Sequence, residues 1–403
     1  MKRVACALGI AALVGGTASM LAAQGQGQDH APIQIPDSSI ERPGDVGVAA
    51  HTNHLIRIGP QFVGTAPGGE TPSSIASAYS LTNLAADGSG VIVIVDAFHY
   101  PTALNDFNVF AKQFGLPSEP STDPLNANNQ VFQVVYASGS KPRSNCGWAQ
   151  EAALDIEWAH AMAPNAKIVL VEAASNSFTN LFKAVDVASS IANAREVSMS
   201  WGGSEFSTEA TNDSHFTHSG IVYFAASGDT GGAVIYPGAS GNVVAAGGTR
   251  INRDNSGNFL SETGWSGSGG GPSKYEPRPS YQDIIGTIVG SARGVPDYSF
   301  DADPNSGVSV YDSTSCQGFS GWLVFGGTSV ASPSLSGIVN SAGNNTSSSA
   351  ELNLLYQSVG NNGLTINNSN FRDIQSGTAG SFSATTGWDF VTGIGSTITL
   401  SGK

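Results

Sequence analysis

Basic side chains are scarce in this chain. Lysine and arginine together number 17 against 31 aspartates and glutamates, a formal net charge of −14 over 403 residues. The isoelectric point near 4.7 argues against nucleic-acid binding, whose footprint is a basic patch. An acidic surface poor in amines suits a secreted protein in acidic surroundings. Cysteine is rarer still, with three in all. Cys6 lies in the apolar N-terminus, which leaves Cys146 and Cys316, in an exported protein one possible disulfide. No CxxC pair or His/Cys cluster supports a zinc site. Beyond the N-terminus no apolar run is long enough to span a bilayer, and no internal repeat is visible. The glycine stretch "GWSGSGGGP" (264–272) lacks the Lys-Ser/Thr ending and the strand–loop–helix context of a phosphate loop. The G-x-S-x-G elbow of esterases is missing around Ser329. His99, His160, His215 and His218 are scattered, and none stands in a glycine-rich "HGT" helix start.

What is present begins with glycine, 50 residues of it, and a 40% hydrophobic content. Those proportions suit a loop-rich protein of one large domain or two ordinary ones with ample core. The first 23 residues, "MKRVACALGIAALVGGTASMLAA", have two basic residues, an apolar run and then small residues, the layout of a signal peptide. A membrane anchor is the competing reading, and the Gly, Ala, Ser and Thr content favours cleavage. Residues 24–70, rich in Gln, Gly and Pro without sustained periodicity, read as an extended leader or linker.

From residue 71 to 403 the pattern is that of a folded domain. "GVIVIVDAF" (90–98), 130–137, 166–173, 197–201 and 221–227 read as strands; 102–115, 149–163 and 177–194 read as helices. Apolar strands alternating with helices imply a mostly parallel α/β sheet covered on both faces. In such sheets ligands bind beyond the carboxyl ends of the strands, which directs attention to Asp96, Trp201 and Asp229.

"FGGTSVASPSLSGIVNSAG" (325–343) opens with glycines and turns apolar at helical spacing, with Ser329 at the turning point. Ser329 reads either as a helix cap or as a nucleophile, since free N–H groups at a helix start stabilise nearby negative charge. Glu151 and Asp155 are four residues apart on one helix, about 40° apart around its axis. Two acids at that spacing repel. They form either a solvated acidic face or, given Ala152, Ala153, Leu154 and Ile156 around them, a buried carboxyl pair that titrates as a set. Asp229, in "FAASGDTGG", is an Asx-turn residue or an acid held at the sheet edge. The histidine partner expected for a serine nucleophile is missing.

"GGTSVASP", "EAALD" on a helix and "ASGDTGG" after a strand together resemble the sedolisins, the serine-carboxyl peptidases. The resemblance runs from "ETPSSIASAYSL" (70–81) to the C-terminus, taking in "SMSWGG", "VVAAGGT" and "VPDYSFDADP". It implies a subtilisin-like fold and a secreted, extracellular or periplasmic, acid-active endopeptidase acting on proteins and peptides, a monomer without stable membrane association. It also implies Ser329 as nucleophile, Glu151 as general base, Asp155 as the residue orienting it, and Asp229 as oxyanion donor. At pH 3 to 5 a histidine near pKa ~6.5 is protonated and useless as a base, whereas a glutamate near ~4.3 is poised. An aspartate must be protonated to donate to an oxyanion. "RDIQSGTAGSFSATTGWDFVTGIGS" (372–396) resembles the family's calcium loop. It implies one Ca2+ held by the Asp373 and Asp389 carboxylates and the Ile374, Thr385 and Gly387 carbonyls, an all-oxygen set suited to a hard cation. A Cys146–Cys316 disulfide would tether the two sides of the cleft. The large folded pro-domain usual in the family finds no room between residues 24 and 70. Two other readings remain: a peptidase-like binding module without catalysis, and a Ser-His-Asp enzyme using Asp96.

Overall fold

Val91–Ala97 reads VIVIVDA, a run of β-branched residues whose side chains alternate between the two faces of a strand. The structure is a computed structural model describing residues 32–403 apart from 61–62, 83 and 344–346. The expected signal peptide, residues 1–23, lies outside the described residues. Val91–Ala97 stands inside a ten-stranded sheet. From one edge the strand order is Phe371–Arg372, Ser396–Thr397, Tyr298–Asp301, Val244–Arg253, Val222–Ala226, Ala194–Met199, Val91–Ala97, Lys167–Ala173 and Phe132–Tyr136. Every pairing from Ser396–Thr397 to the far edge is parallel. Phe371–Arg372 and Phe259–Gly264 join antiparallel.

Helices cover both faces: α1 (Pro72–Ala78), α2 (Ala103–Phe114), α3 (Cys146–Met162), α4 (Phe178–Ser189), α5 (Gly286–Val289), α6 (Thr328–Ala342) and α7 (Ser348–Tyr356). Ile92 and Ile94 join Leu170 and Phe224 in a core with Phe107 and Phe110 of α2, Leu154 and Trp158 of α3, and Leu335 and Ile338 of α6. Val91, Val93 and Val95 face the other way, into a core with Leu181, Phe182 and Val185 of α4. The expected α/β architecture, mostly parallel with helices on both faces, is the one observed.

Two expectations need correcting. Ser329 does not cap its helix. Gly327 occupies the cap position and α6 begins at Thr328, which places Ser329 within the first turn. Residues 32–70 do not run as an extended linker either. Ile33–Gln34 pairs with Leu55–Arg57, which pairs with Phe319–Gly326, which pairs with Val308–Cys316. The short alternation in Leu55–Arg57 is a strand signal too brief to stand out among Gly and Pro, and its pairing partner lies far along the chain.

α3 is buried from Gly147 to Met162, acids included. Asn145 caps it by accepting the Trp148 N–H (3.2 Å), and it ends just before Pro164, as helices do. Cys146 at its start forms a disulfide with Cys316, 170 residues away. The bond ties α3 to the strand that leads, through Phe319–Gly326, into α6.

Candidate active site

The α6 N-terminus is set by Gly327, whose φ of +105° is open to glycine and closed to most other residues. A β-carbon there would run into the Asn53 carbonyl oxygen and into Oδ2 of Asp229. Asp229, three residues past Val222–Ala226, reaches across to this turn. Its Oδ1 accepts the Thr328 N–H at 2.7 Å and the Thr328 hydroxyl at 2.8 Å. Its Oδ2 has no hydrogen-bond partner. Burial pushes the Asp229 carboxyl up to about 8, against the Thr328 hydrogen bonds, which pull it down, and with the Glu151 charge, which raises it. Ser329 is fully buried. Its N–H donates to the Asn53 carbonyl (3.0 Å) and its Oγ to the Ser200 carbonyl (3.2 Å).

α3 supplies the facing acids, Glu151 and Asp155, both fully buried. Asp96 joins them from the sheet, on the same face of its strand as Ile92 and Ile94. Asp155 is pushed well above the usual carboxylate range by burial, and further by the Asp96 and Glu151 charges; Ser200 works the other way. Asp96 rises for the same reasons, burial first, then Glu151 and Glu172. Ser200 Oγ donates to Asp155 Oδ1 at 2.9 Å. Glu151 Oε2 accepts from the Asn53 N–H (3.2 Å) and from His54 Nδ1 (2.8 Å). Asn53 and Ser200 therefore link Ser329 to Glu151 and to Asp155, with Asp229 on the same turn. Ser329 Oγ is not itself hydrogen-bonded to Glu151, because it faces the Ser200 carbonyl.

The C-terminal loop is clamped at both ends, since Phe371–Arg372 and Ser396–Thr397 pair antiparallel at the sheet edge. Asp373 accepts the Gly387 N–H (3.1 Å to Oδ1), and Asp389 Oδ2 accepts the Thr385 N–H (2.9 Å). Both carboxylates thus meet one three-residue stretch. Gly387, at φ +88°, packs so closely on Gly363 that a β-carbon would strike its carbonyl. Two carboxylates beside a loop of backbone carbonyls is a donor set of the hard-cation kind. Among the described residues no cluster of three or more His, Cys, Asp or Glu has metal-site geometry, which fits a set in which carbonyls make up the rest.

No protein-family model matches the chain. Sequence comparison does find relatives. The chain is 25% identical over 417 residues to sedolisin of Pseudomonas sp. (strain 101), an alignment covering 91% of this chain and 67% of that protein. It is 29% identical over 317 residues to kumamolisin of Bacillus sp. (strain MN-32), covering 68% of this chain and 52% of the relative. The solved structure of Pseudomonas sedolisin, a serine-carboxyl proteinase complexed with two molecules of pseudo-iodotyrostatin, matches with a TM-score of 0.68 and 25% identity. That match covers 83% of this chain and 96% of that one. The chain belongs with the sedolisins. Its kinship is therefore with serine-type peptidases. A psychrophilic protease described as S41 shares the fold at 18% identity and a TM-score of 0.50, covering 82% of this chain and 98% of its own.

For a sedolisin relative, the sequence reading missed three residues in the cleft. Asn53 and His54 were hidden in the supposed leader, and Asp96 was weighed only as a partner for histidine. The VIVIVD alternation places Asp96 on the Ile92–Ile94 face and was the available signal. His54 does not restore a Ser-His-Asp arrangement with Asp96. Its Nδ1 meets Glu151, its Nε2 has no partner, and neither Asp96 oxygen has one. The histidines considered from sequence lie elsewhere: His160 is buried against the Pro117 carbonyl (2.8 Å), His99 pairs with Glu172 (2.8 Å) and His215 with Asp186 (2.6 Å).

Proposed function

We propose that this sedolisin relative is a secreted, acid-active endopeptidase that cuts protein and peptide bonds through an acyl-enzyme on Ser329. Glu151 takes the Ser329 proton and later returns it to the leaving amine. Asp155, beside it on α3, orients and tunes Glu151. Asp229 donates to the oxyanion together with the Ser329 N–H. The observation that carries the reading is Asp229: a buried carboxyl with a carboxyl pKa of about 8, bound through one oxygen to the α6 N-terminus and free at the other. Such a group is protonated in acid and can act as a donor. The test is hydrolysis of an unfolded protein substrate from pH 2 to 9. A bell on the acid side of neutrality supports the reading, because the carboxyl set must ionise while Asp229 keeps its proton. A neutral-to-alkaline optimum would contradict it.

Asp229→Asn is the sharper test of the oxyanion role. An amide also donates but does not titrate, so activity at the optimum should stay within about tenfold of wild type, well short of the loss when a donor is removed. The alkaline limb should move to higher pH. A limb that stays in place in kcat/KM profiles shows that another group sets it.

A calcium ion at the C-terminal loop is part of the same proposal. Asp373 and Asp389 would hold it with the Ile374, Thr385 and Gly387 carbonyls, and it would brace the loop between its two clamped strands. A ligand that binds only the folded state stabilises it, by about 2.7 kcal/mol at a hundredfold excess over Kd. Chelation at pH 5 should therefore lower the melting temperature, and Asp373→Ala should abolish that response. A melting curve indifferent to chelator rejects the site.

Secretion rests on the sequence of residues 1–23. Among the described residues no helix is long and apolar enough to cross a membrane. The acidic charge favours protein or peptide substrates over nucleic acid, and a monomer is expected by size-exclusion chromatography.

A further inference from the structure

The cleft already holds a strand of this chain. Residues 48–53 run extended between two segments that border it. On one side the Phe178 N–H donates to the Val48 carbonyl (3.0 Å), the Ala50 N–H to the Asn176 carbonyl (2.8 Å), and Asn176 Nδ2 to the Ala50 carbonyl (2.8 Å). On the other side His51 lies opposite Gly202 and Thr52 opposite Trp201 in an antiparallel pair, and the Asn53 N–H continues the ladder to the Ser200 carbonyl (3.2 Å). Past the cleft Leu55 and Ile56 pair with Gly326 and Phe325. The Asn53–His54 peptide bond stands between the two ladders. Its carbonyl oxygen accepts the Ser329 N–H at 3.0 Å and crowds Gly327 from the same side as the free Asp229 oxygen. Glu151 Oε2 touches residues on both sides of the bond, the Asn53 N–H and His54 Nδ1.

Extended peptides bind by adding a strand to an open edge, and a bond to be cut has its carbonyl oxygen on the oxyanion donors. Of the carbonyls in this strand, Asn53 is the one that meets the nucleophile's own N–H. Resting on the peptidase reading, we propose that Ser329 cuts the Asn53–His54 bond of its own chain, and that the segment ending at Asn53 blocks the cleft until it leaves.

The step balances with water as the co-reactant. Ser329 Oγ rotates from the Ser200 carbonyl, adds to the Asn53 carbonyl carbon and gives its proton to Glu151. The C–N bond then breaks, the amine of His54 takes that proton, and Asn53 is left as an ester on Ser329. Water hydrolyses the ester, restoring the hydroxyl and leaving an Asn53 carboxylate. His54 becomes a new N-terminus, still attached to Leu55–Arg57 in its sheet. The upstream segment has anchors of its own. Thr52 Oγ1 is hydrogen-bonded to the Ser38 and Ser39 hydroxyls (2.9 and 2.8 Å), and Glu41 Oε1 accepts the Ser204 N–H (2.7 Å). It therefore remains an inhibitor until displaced.

The experiment compares full-length wild type, Ser329→Ala and His54→Pro after acidification. Intact mass and N-terminal sequencing follow the chain, and hydrolysis of an unfolded protein substrate is measured in parallel. Wild type is expected to yield a chain beginning at His54 and to become active, and Ser329→Ala to stay uncut. Proline at 54 keeps Asn53 extended but should resist cleavage. Its tethered segment, at an effective concentration in the millimolar range, should hold activity roughly a hundredfold below wild type. An active wild type whose 53–54 bond is intact, or which begins at another residue, overturns the proposal and leaves the peptidase reading standing. So does a Ser329→Ala chain cut at 53–54, or an uncut His54→Pro chain that is fully active. A wild type neither cut nor active overturns both.

Discussion

Ser329→Ala is expected to lower the hydrolysis of protein substrates by about 10⁶-fold in kcat, the scale seen when a serine nucleophile is deleted from a peptidase. The fold should survive. The Ser329 hydroxyl makes a single hydrogen bond, to the Ser200 carbonyl at 3.2 Å, and the N–H that holds the Asn53 carbonyl belongs to the backbone. Loss of one such bond costs about 1 kcal/mol, a small part of a domain's stability of about 5–15 kcal/mol. Unchanged circular dichroism and melting temperature should accompany the loss of turnover. A peptide aldehyde should form a hemiacetal with wild type and not with the variant. Glu151→Gln should collapse kcat as well, since an amide of the same shape cannot take the proton. Effects of the two changes should not add, because both remove the same chemical step. Substantial activity in Ser329→Ala assigns the nucleophile elsewhere. A fully active Glu151→Gln removes the proposed base.

Raising the pH from 4 to 8 at constant calcium is expected to lower the melting temperature by more than about 10 °C. The cause is the number of carboxyls buried in positions that disfavour their charge. Burial pushes Glu172, Asp229, Glu209 and Glu351 up to about 8, and Glu276 and Asp312 to about 7. Asp96, Asp155, Glu157 and Asp301 are raised well above the carboxylate range, again chiefly by burial. Each group binds its proton more tightly when folded than when unfolded, where its pKa is ~4. Its contribution is fully present below that unfolded value and is lost as pH rises through the folded one. The loss therefore runs from about pH 4 to about pH 8, the reverse of ordinary acid denaturation. One pKa unit corresponds to ~1.4 kcal/mol, so a few such groups match the stability of a domain. Scanning calorimetry on Ser329→Ala, which avoids self-digestion, measures the effect directly. A melting temperature that is flat or rises toward pH 8 would show that these acids find compensating partners.

Particular residues show how much of this was legible beforehand. The strands and helices between 90 and 227 follow from periodicity, because VIVIVDA and its neighbours carry their burial in their own composition. Ser329, Glu151, Asp155 and Asp229 stand in short motifs around local devices, a helix start, one helix face and a strand end, and each was found. Asn53 and His54 were not. Their structure comes from pairing with Trp201–Ser204 and Phe319–Gly326, far along the chain, and nothing in "HTNHLIRIG" marks those partners.

By itself the sequence determined the alternation of apolar strands and helices, the identity of the acids and the serine, and the acidic balance of charge. Side-chain period and hydrophobicity act within a few residues of each position, so they can be read locally. The tertiary structure alone decided that Asp96 joins Glu151 and Asp155 in burial and that Asp229 binds the start of α6. It also decided that residues 48–54 lie in the cleft with the Asn53 carbonyl on Ser329. Those arrangements depend on which distant backbone segments share hydrogen bonds and exclude water. No local pattern encodes that information.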